Sequence, residues 1–279
     1  MNKNQYDIIM PIGNDQEITI LSINSALNQT HFYKNFIFII DTKSDIEANN
    51  IKNKLNHVER SIIIRTPRVG QGAARQAGIK AASSEFIAFL DSDDIWHPKK
   101  IELQLNQLRK EKADFSFCSY KAIDINNKLL LFNVHCKKKI SLLDLLVSCP
   151  IGTSTVLCKT KIFHQNLIFS DSRKRCDYIT WFKIWRDLKP KHSVFSEYAV
   201  LIIKHSNSVS SSYWTSFSGY FSMQKAFKSL RFLTFSSYAY AFLYSLFQII
   251  VKIKRKFFNK LLENSKLIKN SDIEHYFKN

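Results

Sequence analysis

Phe86-Ile87-Ala88-Phe89-Leu90-Asp91-Ser92-Asp93-Asp94-Ile95-Trp96-His97-Pro98 is the stretch that decides the fold. Its apolar opening, 86–90, reads as a buried strand. Three acids follow within four positions: Asp91, Asp93 and Asp94. The carboxyl end of a strand is where open α/β sheets hold their ligands. Clustered carboxylates repel, and keeping them beside a packed strand is costly unless a cation or hydrogen-bond donors answer them. A hard divalent metal carrying phosphates is one answer. The other reading is an acidic helix start, with Asp93 or Asp94 capping a helix that Pro98 helps to open.

Upstream, strand-like and helix-like patterns alternate. Tyr6–Ile12 is an apolar run punctuated by Pro11 and Gly13, and residues 17–29 carry Ile18, Leu21, Ile23, Ala26 and Leu27 at roughly helical spacing. Asn35–Ile40 is a second run, ending in Asp41. Residues 45–56 read as a polar helix, Ser61–Ile64 as a third strand and the Ala-rich 70–82 as a helix leading into 85–90. Short strands separated by helices imply an α/β domain with a mostly parallel sheet and right-handed crossovers.

Downstream the pattern loosens. Residues 97–111 read as an amphipathic helix through Ile101, Leu105 and Leu108; strand candidates lie at 114–123, 129–134, 154–158 and 194–203, and a helix at 177–188. One domain is expected over 1–212, followed by a basic helical region over 213–279. From Phe232 to Val251 there is no charged side chain, while Lys225, Lys228 and Arg231 precede the segment and Lys252, Lys254, Arg255 and Lys256 follow it. Twenty helical residues reach about 30 Å, the thickness of a bilayer core. The serines, tyrosines and Gln248 inside it, and basic residues on both flanks, favour a helix lying at an anionic membrane surface over a spanning one. A soluble helical appendage is the third reading.

The 279 residues carry 41 Lys and Arg against 23 Asp and Glu, a net charge of +18. That balance points to anionic partners. Nucleic acid is not expected among them, because the basic residues are spread widely and no zinc or RNA-binding signature appears. The five cysteines (118, 136, 149, 158, 176) are odd in number, with no Cys-x-x-Cys pair. Neither a disulfide framework nor structural zinc is expected. The amino terminus shows no long apolar stretch with a cleavage site, so a cytoplasmic protein is expected.

Gly70-Gln71-Gly72-Ala73-Ala74-Arg75-Gln76-Ala77-Gly78 follows the third run. It departs from the dinucleotide fingerprint and lacks a Walker lysine. Small residues here serve either close helix packing or a phosphate loop, and Arg75 supplies a fork-shaped cation that suits phosphate.

Gly70 through Gln104 resembles the inverting family-2 glycosyltransferases of the GT-A fold. Their pattern is Gly-x-x-x-Ala-Arg-Asn-x-Gly, a strand, and Phe-Leu-Asp-x-Asp-Asp-x-Trp-x-Pro. The counterparts are Gly70, Ala74-Arg75-Gln76, Gly78, and Phe89 to Pro98. Weaker resemblance extends from Tyr6 to about Ser210. It implies a GT-A α/β sheet flanked by helices, a nucleoside-diphosphate sugar donor and a Mn²⁺ or Mg²⁺ cofactor. Pro11, in Ile9 to Asn14, resembles the end of the family's first strand and implies a nucleotide contact. Asp41 matches an acid placed beside the nucleotide base, although Ile40 stands where a further Asp is usual. Asp91 and Asp93 match the metal-binding pair, Asp93 as direct ligand and Asp91 toward the ribose or an outer-shell contact. The role of Asp94 stays open between acceptor contact and helix cap.

The resemblance also implies a base. The family places it in a Glu-Asp-x-x-x-Trp segment, which here reads Cys176-Asp177-Tyr178-Ile179-Thr180-Trp181. Asp177 matches the Asp, and Cys176 replaces the Glu. An Asp in the first turn of a helix is also favoured by the dipole alone. Gly152-Thr153-Ser154-Thr155 resembles an acceptor-lining segment or a strand start. His205 resembles a late His that completes the metal or diphosphate site, though a lone His is also an ordinary surface residue. The expected activity is transfer of a sugar, most simply from a uridine diphosphate, to a growing and lipid-linked glycan at the inner face of a membrane. Rivals are a non-catalytic relative acting as a scaffold, motivated by Cys176 and Ile40, and a nucleotidyltransferase. The latter needs a basic Gly-rich loop that Pro11 to Gln16 does not supply.

Overall fold

A computed structural model describes residues 6–14, 17–124, 129–147, 149–163, 169 and 175–204. His205 and the expected region 213–279, with its uncharged segment, lie outside the described residues. The chain runs β1 (Tyr6–Ile12), α1 (Ile18–Leu27), β2 (Asn35–Asp41), α2 (Asp45–Lys54), β3 (Ser61–Thr66), α3 (Gln71–Ala81), β4 (Phe86–Phe89), β5 (Asp94–Trp96), α4 (Lys100–Glu111), β6 (Phe115–Asp124), β7 (Leu129–Val134), α5 (Leu142–Val147), β8 (Leu157–Lys159), α6 (Cys176–Leu188) and β9 (His192–Ile203). A 3₁₀ turn, Thr153–Thr155, precedes β8, and a second, Thr160–Phe163, follows it.

The strands form one sheet in the order β3-β2-β1-β4-β8-β6-β9-β5, with β7 on β6. Its first four strands are parallel. Beyond β4 the sheet is mixed: β8 is antiparallel to β4 and to β6, β9 runs parallel to β6, and β5 antiparallel to β9. Alternate residues of the parallel strands feed two cores. Ile9, Ile37, Ile39 and Phe89 join Ala74 of α3 and Trp181 of α6 on one face. Ile8, Met10, Phe36 and Phe38 join Ile23, Ile51 and Leu105 from α1, α2 and α4 on the other. Burial on both faces is why these strands read as continuous apolar runs.

Order reverses between β1 and β4, so the crevice past their carboxyl ends is the switch point of the sheet. Pro11 fits here for a physical reason. The last β1–β4 pair is Ile9↔Phe89, and the Ile9 carbonyl accepts from Leu90 N–H at 3.0 Å. Two residues on, the Pro11 amide edge faces the same side, where no ladder partner remains to miss its N–H.

Asp93 and Asp94 do not cap a helix. The helix expected from residue 97 starts at Lys100, with Lys99 at the cap position and no side-chain cap bond. Asp94 opens β5 instead. Pairing with β9 wins because it buries Ile95 and Trp96 completely. The glycines of 70–78 divide their work. Gly70 has φ 95°, in the left-handed region that favours glycine. Gly78 has ordinary φ but no room: a β-carbon there would sit 2.6 Å from Ile9 Cγ2 and 2.8 Å from Ile39 Cδ1. Close packing of α3 on the sheet is what that glycine provides.

Candidate active site

The link from β4 to β5 carries Asp91, Ser92, Asp93 and Asp94 across the switch point. Asp91 and Asp93 are half-buried, and Asp94 is 4 % exposed. The Ser22 hydroxyl of α1 donates to the Ser92 carbonyl at 3.0 Å, and Asp94 N–H bonds the Asp91 carbonyl at 3.1 Å. The link is therefore a closed turn with carboxylates at three of its four positions.

Ser154, in the 3₁₀ turn, organises it from the far side. Its hydroxyl accepts from Asp91 N–H at 3.0 Å and donates to Asp94 Oδ2 at 2.5 Å, while its carbonyl accepts from Trp96 Nε1 at 2.8 Å. Ile203 N–H adds a donor to Asp94 Oδ1 at 3.3 Å. Burial first, then the charges of Asp93 and Asp91, push the Asp94 carboxyl well above the usual range. Asp94 is a structural member of the turn, turned inward to Ser154 and β9.

Arg75 lies on α3, its side chain 2 % exposed. Nη2 meets Asp91 Oδ1 at 2.5 Å, Nη1 reaches Cys176 Sγ at 3.5 Å, and the guanidinium sits 5.5 Å from the centroid of the Phe169 ring. Burial works against its charge, but Asp91, Cys176 and Asp177 outweigh that and keep it protonated. Expected to reach phosphate, Arg75 instead spends its fork on Asp91, because α3 directs it into the core beneath the turn.

Asp177 stands in the first turn of α6 and is half-buried. Thr153, the neighbour of Ser154, donates its hydroxyl to Asp177 Oδ2 at 3.3 Å. One 3₁₀ turn thus joins the acidic link to the start of α6: Ser154 holds Asp94 and Thr153 holds Asp177. Residues more than eighty positions apart in the chain converge on one crevice.

Asp41 ends β2 and is 6 % exposed. Its Oδ1 accepts from Thr66 Oγ1 at 2.7 Å and Val69 N–H at 2.7 Å, its Oδ2 from Gly70 N–H at 2.9 Å. The carboxylate pins the β3–α3 loop, in which Arg68 also has positive φ. A carboxylate offers about four lone-pair sites, so one direction stays open after these three bonds.

Among the described residues no group of three or more His, Cys, Asp and Glu is placed to hold a metal. The donor set at the turn is carboxylate oxygen, from Asp93 and Asp91. Hard divalent cations accept one or two carboxylates and complete their shell with water and substrate phosphates, so these residues fit such an ion shared with a diphosphate. Ser154 and Thr153 carried no pattern of their own in the sequence, since hydroxyls that bridge loops have no periodicity. Only the resemblance of 152–155 to an acceptor-lining segment singled them out.

The profile of the family described as "Glycosyl transferase family 2" matches residues 7–165. An uncharacterized glycosyltransferase of Rickettsia bellii is 33% identical over 187 residues, 64% of this chain and 26% of the relative. This chain therefore spans about a quarter of that protein's length. The Escherichia coli enzyme UDP-Glc:alpha-D-GlcNAc-diphosphoundecaprenol beta-1,3-glucosyltransferase WfgD is 34% identical over 182 residues, 64% of this chain and 69% of the relative. Among solved structures, S. aureus TarS 1-349 in complex with UDP-GlcNAc superposes with TM-score 0.61 at 21% identity, covering 75% of this chain and 62% of that one. The structural likeness shows the GT-A fold, and the extent of the profile match shows that the chain belongs to glycosyl transferase family 2.

Proposed function

We propose that the protein is an inverting glycosyltransferase. It moves a sugar from a nucleoside diphosphate, in the first instance uridine diphosphate, to a hydroxyl of a lipid-linked glycan. The observation that carries this is the Thr153–Ser154 turn, which brings Asp177 to the same crevice as Asp91, Asp93 and Asp94. WfgD's name gives a UDP-Glc donor and a diphosphoundecaprenol-linked acceptor, and TarS holds UDP-GlcNAc on the same fold.

In this reading Asp177 accepts the proton of the attacking hydroxyl as it closes on the anomeric carbon. The departing diphosphate gathers negative charge opposite that attack. Asp93, with Asp91, would hold a divalent cation, Mn²⁺ or Mg²⁺, and that ion would supply charge neutralisation to the leaving oxygens. Arg75 acts through Asp91, fixing its carboxylate. Asp41 and Pro11 border the nucleotide side, Asp41 by holding the 66–70 loop and offering its remaining acceptor direction. His205 is proposed to complete the diphosphate site.

The net charge of +18 favours work at an anionic membrane surface. No described helix is long and apolar enough to cross a membrane, and peripheral association through 213–279 is proposed. The test is a metal-dependent hydrolysis and transfer screen over sugar nucleotides, with Asp93→Ala and Asp177→Ala beside the wild type. Full transfer by Asp177→Ala rejects the base, and normal metal-dependent donor binding by Asp93→Ala rejects the ion site. A wild type inert on every donor, yet binding them, favours the scaffold reading motivated by Cys176.

A further inference from the structure

Tyr120 lies in the middle of β6, outside every motif that singled out the site. Register places it. Across β6, β9 and β5, Ala122 pairs Ile202, which pairs Asp94; Tyr120 pairs Val200, which pairs Trp96. Ladder partners share a face, and residues two apart on a strand do too. Tyr120 therefore projects from the same face of the sheet as Asp94. The packing agrees, because Tyr120, Val200, Trp96 and Ile202 belong to one cluster.

The turn that ties the two acidic elements together lies against this ring. A β-carbon at Gly152 would stand 3.5 Å from Tyr120 Cε1. From Gly152 the chain runs directly into Thr153, bonded to Asp177, and Ser154, bonded to Asp94. The phenol lies within the electrostatic reach of both acids. Burial first, and then Cys149, Cys136, Asp177 and Asp94, raise its pKa, so it keeps its proton across the working range. Its thiol neighbours are poor hydrogen-bonding partners. What the ring and hydroxyl offer together is an apolar plate with one polar tip beside the base. That combination suits a sugar, whose C–H face packs on an aromatic ring while its hydroxyls seek partners.

The geometry points to Tyr120 as an acceptor-side residue, its ring a wall for the acceptor sugar and its hydroxyl a partner for a sugar hydroxyl next to the one that Asp177 deprotonates. This deepens the glycosyl-transfer reading and rests on it. When water replaces the acceptor, as in donor hydrolysis, one water O–H hydrogen-bonds to the phenolic oxygen and the other proton passes to Asp177, while the water oxygen bonds the anomeric carbon and the bond from that carbon to the diphosphate oxygen breaks. The water lone pair is left directed at the anomeric carbon.

Hydrolysis of UDP-glucose and UDP-N-acetylglucosamine by the full chain therefore tests the assignment without a known acceptor. Tyr120→Phe keeps the ring and removes the hydroxyl. It is expected to lower kcat for hydrolysis about three- to tenfold, the worth of one hydrogen bond, with donor KM and thermal midpoint unchanged. Tyr120→Leu, which also removes the wall, is expected to lower kcat further at the same donor KM. An unchanged kcat in Tyr120→Phe, or a loss expressed as raised donor KM, overturns the assignment. A wild type that hydrolyses no donor of the sugar-nucleotide screen sinks the glycosyl-transfer reading itself, and Tyr120 with it, and is told apart by the absence of any wild-type rate.

Discussion

Arg75 meets Asp91 at 2.5 Å from inside the protein, its own side chain 2 % exposed and that of Asp91 26 %. A buried guanidinium behind a half-exposed carboxylate fixes the acid's direction and lowers the repulsion within the turn. Removing one partner of such a pair leaves the other uncompensated. Arg75→Ala should lower unfolding stability by about 2–4 kcal/mol, a little under the usual range for a broken buried pair because Asp91 still reaches water. Urea unfolding measures it. Arg75→Lys should recover only part, since an ammonium cannot span Asp91 and Cys176 as the fork does. An Arg75→Ala variant as stable as wild type would show that the pair contributes nothing.

Ser154 is fully buried and serves three partners at once: Asp91 N–H, Asp94 Oδ2 and, through its carbonyl, Trp96 Nε1. Ser154→Ala keeps the carbonyl bond and strands the other two groups. A stranded buried polar group costs about 1–3 kcal/mol. The expected result is a stability loss of about that size with donor turnover reduced, because the acidic turn loses its far anchor. Ser154→Thr, which restores a hydroxyl, should recover turnover more than stability. The second variant separates loss of the hydroxyl from loss of volume.

The parallel half of the fold was legible because strands buried on both faces write continuous apolar runs, as in Phe36–Ile40 and Phe86–Leu90. β5 was not. Asp94–Trp96 is too short for a period, and Trp96 before Pro98 looks like the approach to a helix. Its strand character comes from β9, more than a hundred residues later. The acids themselves were legible as a cluster, but not their division of labour. That Asp94 turns inward and Asp91 faces Arg75 depends on Ser154 and α3, and neither leaves a pattern. Tyr120 was invisible for a like reason: only the register of β6 on β9 and β9 on β5 puts it on the same face as Asp94.

Asp41 carries two readings, loop anchor and neighbour of the nucleotide base, and paired variants separate them. Thr66→Val removes one of the three bonds that Asp41 makes to the 66–70 loop and leaves the carboxylate in place. If loop anchoring dominates, Thr66→Val should raise the Kd for UDP by a few-fold and Asp41→Asn by more, with no change in preference among nucleotides. If the carboxylate also reads the base, Asp41→Asn alone should narrow the preference for UDP over CDP. Isothermal titration with the two diphosphates gives both numbers.

His192 offers a pH signature far from the crevice, since it opens β9 while Asp94 pairs near the other end of that strand. Its Nε2 accepts from Ile140 N–H at 3.1 Å and its Nδ1 lies 3.3 Å from the Pro190 carbonyl, which assigns a neutral ring protonated on Nδ1. Burial lowers its pKa below the ordinary 6.5, against smaller opposing effects from the Pro190 carbonyl and Glu111. A depressed folded pKa means stability that is present above about pH 6.5 and lost as pH falls through the folded value. Thermal midpoints should drop between pH 7 and pH 5, and His192→Gln, which still offers an acceptor to Ile140, should flatten that drop. An equally steep drop in His192→Gln would assign the acid sensitivity to other groups.

Gly78 tests whether α3 has room to move. A β-carbon there overlaps Ile9 Cγ2 and Ile39 Cδ1 in the floor of the sheet. Both are fully buried, so neither can swing away as a surface side chain would. Gly78→Ala gains helix propensity worth about 1 kcal/mol, but overpacking costs about 1–3 kcal/mol, and the overlap decides the sign toward destabilisation. Because α3 carries Arg75, a helix pushed off the sheet also draws the guanidinium away from Asp91, so turnover should fall along with stability. Adding Ile39→Val removes the Cδ1 contact and should restore part of both in Gly78→Ala. Stability that returns without turnover would uncouple the seat of α3 from the acidic turn.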